Sequence, residues 1–314
     1  MGTRDHDLLT RVDARTQLAG SNRMELLLFS LGGNETYGIN VFKVREVCET
    51  PPVTRAPNMP AGVEGLISLR GAIIPVVDLA HSVNVARAQA PGKLIITEFC
   101  GRTQAFHVAD VDRIVRLDWE NVRTPHGLLS ANGNLVTAIA ELPGHKLVSI
   151  LDVEQILHDT FGDDPLPHLE PVAAELVRNV FFADDSAFAR RKIAAVLDRL
   201  GLPYQQATNG REAWHKLGAL AMRAQHERMP LSASLGLVMV DAEMPEMDGY
   251  VLTQHVKADP RFAGIPVVMH SSLSSVANRK MGQQVGVDAY VAKFDAESLG
   301  ATLHAILQSS SHAS

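Results

Sequence analysis

Five short strand-like runs between residue 176 and the C-terminus, four of them apolar and each followed by a window of helical period, constrain this chain more than any other feature. The pairs are NVFFAD with SAFARRKIAAVLDRLG, YQQAT with GREAWHKLGALAMRAQ, LGLVMVD with DGYVLTQHVKAD, PVVMHS with SSVANRKMGQQVG, and AYVAK with AESLGATLHAILQ. Short runs without polar alternation fit strands buried on both faces, and parallel strands need crossover helices. Five such units in about 130 residues predict an α/β flavodoxin-like domain, a five-stranded parallel sheet with helices on both faces.

The polar residues that end these runs carry the chemistry. Asp184 and Asp185 end the first, Asp241 the third, Ser271 the fourth and Lys293 the fifth. The carboxyl ends of parallel strands share one edge of the sheet, where ligands bind. Three carboxylates, a hydroxyl and an ammonium suit a divalent cation and a phosphoryl group. Mg²⁺ takes oxygen ligands in near-octahedral geometry and keeps several waters. Asp185 and Asp241 are expected as direct ligands, Asp184 mainly through water, and the backbone carbonyl of Glu243 as a further ligand. A carboxylate can attack phosphorus to form an acyl phosphate, and Asp241, between the acidic pair and the turn AEMPEMDG, is the best nucleophile. Lys293 would neutralise one phosphoryl oxygen as a point charge, and Ser271 would hydrogen-bond another. Taken singly, each group has an ordinary reading. An Asp-Asp pair is usually a solvated helix start, with Asp185 or Ser186 as the cap. A lone lysine or serine at a strand end is unremarkable. The joint pattern is what points to phosphoryl chemistry.

Residues 178–309 resemble the receiver domain of response regulators. FADDS matches the family's acidic pair, and VDAEMPEMDGY its phosphoacceptor loop, which places the acceptor at Asp241. VVMHSS puts Ser271 at the switch hydroxyl and AYVAK puts Lys293 at the phosphate-binding lysine, with Tyr290 at the switch aromatic. One residue departs from the pattern. Receivers usually have proline after this lysine, often through a cis peptide, and here it is Phe294. A cis bond without proline costs about 3 kcal/mol, so the turn is expected to run differently.

The preceding part, 23–162, reads as β-rich. MELLLFSL, TYGINV, AIIPVVDL, KLIITEF, QAFHVAD, NLVTAIA and KLVSIL are separated by Gly32-Gly33-Asn34, Arg70-Gly71, Gly101-Arg102 and Asn132-Gly133. Many short strands with few helical windows predict an all-β domain of closed or paired barrels. Pro75, which cannot donate to a ladder, predicts an edge or a bulge. VEQILHDTF is expected to close this domain as a helix. Residues 163–176, rich in Asp and Pro, read as a flexible linker to a second domain at 177–310. Residues 1–22 read as an extension, either a short helix or disordered. No catalytic motif or Cys/His cluster occurs in the first half, and Cys48 and Cys100 fit no metal or disulfide spacing.

Two segments of this half, LLLFSLGGNETYGINVFKVREV and VEGLISLRGAIIPVVDL, resemble CheW, the chemotaxis adaptor family whose fold is two small β-barrels. Ser68 stands where the family often has Asn before LRG. A CheW-like domain followed by a receiver is the arrangement of the CheV family. The resemblance implies an adaptor, not an enzyme beyond its own phosphoryl transfer and autodephosphorylation. Its partners would be chemoreceptors and a chemotaxis histidine kinase, and its cofactor Mg²⁺. Phosphorylation of Asp241 would regulate coupling; alternatively, the receiver would be a phosphate sink for the kinase. Val44, Glu46, Leu69, Arg70 and Gly71 are candidates for the receptor- or kinase-facing surface. Against that, Gly71 can simply shape a turn, and Val44 and Leu69 can simply be core. A formal charge of −6 with no Lys/Arg run argues against nucleic acid as a partner. No run of eighteen apolar residues occurs, so direct membrane insertion is not expected. A cytoplasmic protein recruited to membrane receptor arrays is the expectation.

Overall fold

The computed structural model describes residues 23–86, 92–99, 102–124, 135–162, 165–271 and 281–311. The N-terminal extension, Gly101, Asn132-Gly133 and most of the helix expected over SSVANRKMGQQVG lie outside the described residues. The chain divides into two compact units at residues 163 and 164.

In the first unit the strands are β1 (Arg23–Ser30), β2 (Thr36–Asn40), β3 (Val44–Glu49), β4 (Val63–Leu69), β5 (Ala72–Asp78), β6 (Lys93–Phe99), β7 (Arg102–Val108), β8 (Asp110–Asp118), β9 (Val122–Arg123), β10 (Val136–Leu142) and β11 (Lys146–Leu151). They form a six-stranded sheet in the order β8-β1-β2-β11-β10-β9 and a five-stranded sheet in the order β3-β6-β7-β5-β4. Pairing is antiparallel except between β11 and β2 and between β5 and β7. Among the described residues no ladder joins the outer strands of either sheet, so the two-barrel expectation holds only in part, as two mainly antiparallel sheets.

Side chains alternate across a strand, and here both faces of each sheet are buried. Leu27 and Phe29 of β1 enter a core shared with Val44, Val77, Ile95 and Phe106 of the second sheet. Their neighbours Leu26 and Leu28 enter a second core with Trp119, Ala138 and Val148. Val76, Leu94 and Ile96 likewise fill a third core. That is why these strands read as unbroken apolar runs. Helix α1 (Leu79–Ser82) follows β5. Helix α2 (Val153–Phe161) is capped by Asp152, whose Oδ1 accepts from Gln155 N at 3.0 Å, and its Ile156 joins the shared core.

Pro75, expected at an edge or a bulge, sits beside a bulge, since the β4–β5 register shifts between Val63 and Gly65 opposite Val77 and Val76. It lies inside a sheet, opposite Leu66 on β4. Leu66 exchanges both backbone bonds with Thr54 on its other side, at 2.8 and 2.9 Å, so the β4–β5 ladder asks nothing of Pro75. Parallel pairing of β5 with β7 starts only at Val76.

The second unit is a single parallel sheet of β12 (Asn179–Ala183), β13 (Tyr204–Ala207), β14 (Leu235–Val240), β15 (Val267–Ser271) and β16 (Ala289–Ala292), in the order β13-β12-β14-β15-β16. Helices α3 (Ala187–Leu200) and α6 (Ala296–Ser311) cover the face that carries Val180, Phe182, Leu237 and Met239. Helices α4 (Gly210–Glu227) and α5 (Gly249–Ala258) cover the face of Phe181, Val238, Val240 and Met269. Alternate residues of each strand thus belong to opposite cores, as a doubly wound sheet requires.

The segment read as a flexible linker is packed along this unit. Val172 donates its N–H to Leu200 O at 2.9 Å, and Leu166, Leu169 and Leu176 lie against the α3–α6 core. His304 on α6 donates Nε2–H to Glu170 O at 2.9 Å. Prolines and acids between these leucines conceal their apolar spacing.

Helix α4 begins with a reciprocal cap. Asn209 Oδ1 accepts from Glu212 N at 2.7 Å, and Glu212 Oε2 accepts from Thr208 N at 2.7 Å. Burial pushes the Glu212 carboxyl up, but bonds from Lys216 and Thr208 outweigh it and hold the group below the usual carboxylate range. A carboxyl depressed in the folded state adds stability above its unfolded pKa and loses it as pH falls through the folded value. We therefore expect Glu212→Gln to destabilise this unit by about 0.5 kcal/mol at pH 7, a figure discounted for its exposure. In denaturant melts the deficit should vanish under acid conditions; a deficit constant with pH would assign no role to the charge.

Candidate functional site

Strand β12 delivers Asp184 and Asp185 to the edge of the second sheet. Ser186 then caps α3, its Oγ accepting from Ala189 N at 3.2 Å. Asp184 Oδ1 accepts from Ser186 N at 2.9 Å, which ties one side of its carboxylate to the turn. Arg190, one turn into α3, reaches back and donates to the carbonyls of Asp184 and Asp185 at 2.8 and 3.0 Å. The acidic pair is therefore held on a braced backbone.

Asp241 follows β14, and its N–H donates to Ala183 O at 2.9 Å, locking it beside the acidic pair. The chain then folds back on itself: Gly249 N donates to Ala242 O at 3.0 Å, and Asp248 caps α5 by accepting from Val251 N at 2.7 Å. The return passes so close that a Cβ on Gly249 would lie 2.0 Å from Asp241 O. Glu246, at φ 66°, accepts from Asn209 Nδ2 at 3.3 Å and pairs with Arg211 at 3.3 Å. The loop that carries Asp241 is thus joined to the start of α4.

Ser271 and Lys293 end the adjacent strands β15 and β16, and Lys293 N donates to Ser271 O at 3.0 Å. Lys293 is 3% exposed, and its Nζ lies 2.8 Å from Asp184 Oδ2 and 2.9 Å from Asp241 Oδ2. Burial disfavours an ammonium; two carboxylates at contact distance offset that cost.

Carboxylate oxygens of Asp184, Asp185 and Asp241 lie within 4.8 Å of one another. Three carboxylates against one ammonium leave two negative charges in a largely buried cluster. An all-oxygen set with that deficit fits a hard divalent cation, and fits Mg²⁺ by ligand type. Glu243 is half-buried in the loop just after Asp241. Ser271 is buried beside the cluster, while half-buried Tyr290 packs against the α4–α5 core.

Phe294 replaces the expected proline with a different turn. It takes the left-handed conformation at φ 66°, and its ring stacks on Phe188 of α3 at 5.2 Å with planes 19° apart. Such a conformation strains a bulky residue; the stack holds it and links the Lys293 turn to the helix that follows the acidic pair. Nothing in the sequence signalled Phe188 for this task. Arg190 and Gly249 were equally unmarked, although a glycine after the last acid of the turn hints at close approach.

The residues proposed as a coupling surface divide. Arg70 and Gly71 form the two-residue turn between β4 and β5 at φ 50° and 85°, a hairpin geometry that favours glycine. Arg70 pairs with Glu46 across to β3 at 2.7 Å. Leu69 packs against the third core, and Val44 is 4% exposed in the shared core. Val44 therefore has no side chain to offer a partner, because its position on β3 faces the second sheet's inner side. Beside the hairpin turn, Ile73 is 75% exposed, a feature that alternation alone did not single out.

Residues 25–161 match the CheW-like domain family, and residues 180–304 match the response regulator receiver domain family. The chemotaxis protein CheV3 of Helicobacter pylori is 32% identical over 277 residues, 86% of this chain and 88% of that protein. Chemotaxis protein CheV1 of the same bacterium is 29% identical over 316 residues, 91% of this chain and 94% of that protein. The crystal structure of the scaffolding protein TtCheW from Thermoanaerobacter tengcongensis superposes with a TM-score of 0.41 at 28% identity, covering 45% of this chain and 91% of that one.

The close return at Gly249 yields a graded expectation. Gly249→Ala drives a methyl into backbone and should destabilise the second unit by about 3 kcal/mol. Gly264→Ala, at φ 80° with open space around it, should cost only about 1 kcal/mol. Denaturant midpoints for the two variants check the order; equal losses would contradict the close packing of the Asp241 loop.

Proposed function

The chain belongs to the CheV family of chemotaxis proteins, a CheW-like domain joined to a receiver domain, and from that premise we propose that phosphorylation of Asp241 regulates its adaptor function. As a family member it is an adaptor with a receiver domain rather than a classical enzyme. The observation that carries the finer reading is Lys293, buried between Asp184 and Asp241 at the carboxyl edge of the sheet.

Asp241 attacks the phosphorus of a kinase phosphohistidine; the phosphorus–nitrogen bond breaks and an acyl phosphate forms on the carboxylate. Lys293 exchanges its contact with Asp241 for one with a phosphoryl oxygen, and Ser271 donates to another. Asp185, Asp241 and the Glu243 carbonyl would hold Mg²⁺, with Asp184 acting through water, and the ion would supply neutralisation of phosphoryl charge. Arg190 keeps the acidic pair from drifting as the charge changes. Tyr290 then repacks and alters the surface around β16.

The adaptor half couples chemoreceptors to the histidine kinase, with Glu46, Arg70, Gly71 and exposed Ile73 on the contacting surface. Recruitment to membrane arrays runs through these contacts; among the described residues no helix is long and apolar enough to cross a membrane.

Labelling tests the acceptor. The wild-type chain should take up phosphate from phosphorylated kinase only with Mg²⁺ present, and Asp241→Asn should abolish the uptake. Undiminished labelling of the variant would overturn the assignment.

A further inference from the structure

Tyr250 is the second residue of α5, immediately after the Asp248 cap and Gly249. It is 2% exposed and lies in the core with Phe181, Val240 and Met269. Tyr290 packs against the same core. The Tyr250 hydroxyl is buried and has no hydrogen-bond partner among the described residues. A buried phenol normally finds one, and leaving it unpaired destabilises the state in which that happens. Burial first, then the neighbouring Tyr290 and the carboxylates of Glu243, Asp248 and Asp241, keep the group protonated. It is therefore an O–H donor with no acceptor among the described residues.

The ring is buried and the backbone on either side of it is fixed. Gly249 N is fixed to Ala242 O at 3.0 Å, and Asp248 caps the helix through Val251 N at 2.7 Å. A partner for the hydroxyl must come from the groups around it, which include Tyr290 and the carboxylates of Glu243, Asp248 and Asp241.

We propose that Tyr250 is a switch residue of the receiver, its hydroxyl unpaired at rest and paired when Ser271 and Tyr290 repack around phosphorylated Asp241. The proposal rests on the reading of Asp241 as acceptor. An interaction formed in only one of two states moves the equilibrium between them. The unpaired O–H raises the free energy of the resting state, and its bond lowers that of the activated one. Packing alone would be served equally well by a phenylalanine; the oxygen is what distinguishes the states.

The test is Tyr250→Phe in the full chain, which keeps the ring and removes the O–H. Beryllofluoride, a phosphoryl mimic, is titrated with Mg²⁺ by calorimetry. The expected result is binding about ten-fold weaker than wild type, with a higher unfolding midpoint of the second unit in the absence of ligand. Equal affinities overturn the proposal. A lowered ligand-free midpoint overturns it too, since the hydroxyl would then be bonded at rest. Failure of the wild type to bind beryllofluoride, with Asp241→Asn as reference, removes the acceptor reading and the proposal with it.

Discussion

The contact of Lys293 with Asp184 and Asp241 is the interaction on which the second half of this chain turns. Three strands contribute, and they are not all neighbours: β12 adjoins β14, but β16 lies beyond β15. The lysine on β16 must reach over the end of β15 to meet carboxylates on the other two. Its long stem allows this, and Ser271 at the end of β15 sits on the way. Without a cation, the ammonium is what permits carboxylates to crowd within 4.8 Å of one another. A phosphoryl group on Asp241 would compete for the same ammonium. Under the proposed modification, an interaction already in place would be redirected.

Most of this was written into strand ends. Four of the five runs after residue 176 end in or lead directly into a candidate site residue, because the apolar stretch stops where the sheet edge opens; β13, a partly exposed strand at the edge of the sheet, leads into none. Asp184, Asp185, Asp241, Ser271 and Lys293 are legible for that reason. Burial on two faces explains the runs of the first unit, where Leu26 and Leu27 point into different cores.

What escaped the sequence depends on contacts between distant residues. The Phe188–Phe294 stack could not be foreseen, because no local pattern says that a left-handed phenylalanine will find a ring on α3. Pro75 was read from its missing donor as an edge or a bulge; that it falls inside a sheet beside a bulge depends on Leu66 bonding outward to Thr54, which no local pattern shows. Residues 165–176 looked like a spacer because composition reports prolines and acids, and not which leucines find a groove along α3 and α6. Val44 shares a motif with surface residues but falls on the inward phase of β3.

Our central proposal is that the carboxylate pocket of the second unit regulates the contact surface of the first. The most direct measurement is kinase activity in reconstituted receptor arrays with this chain as the sole adaptor, compared in Mg²⁺ alone and in Mg²⁺ with beryllofluoride. The account predicts a change in activity with the mimic that Asp241→Asn lacks. Full coupling that ignores the mimic would contradict it, and would leave the receiver as a drain for phosphoryl groups or a silent partner of the adaptor.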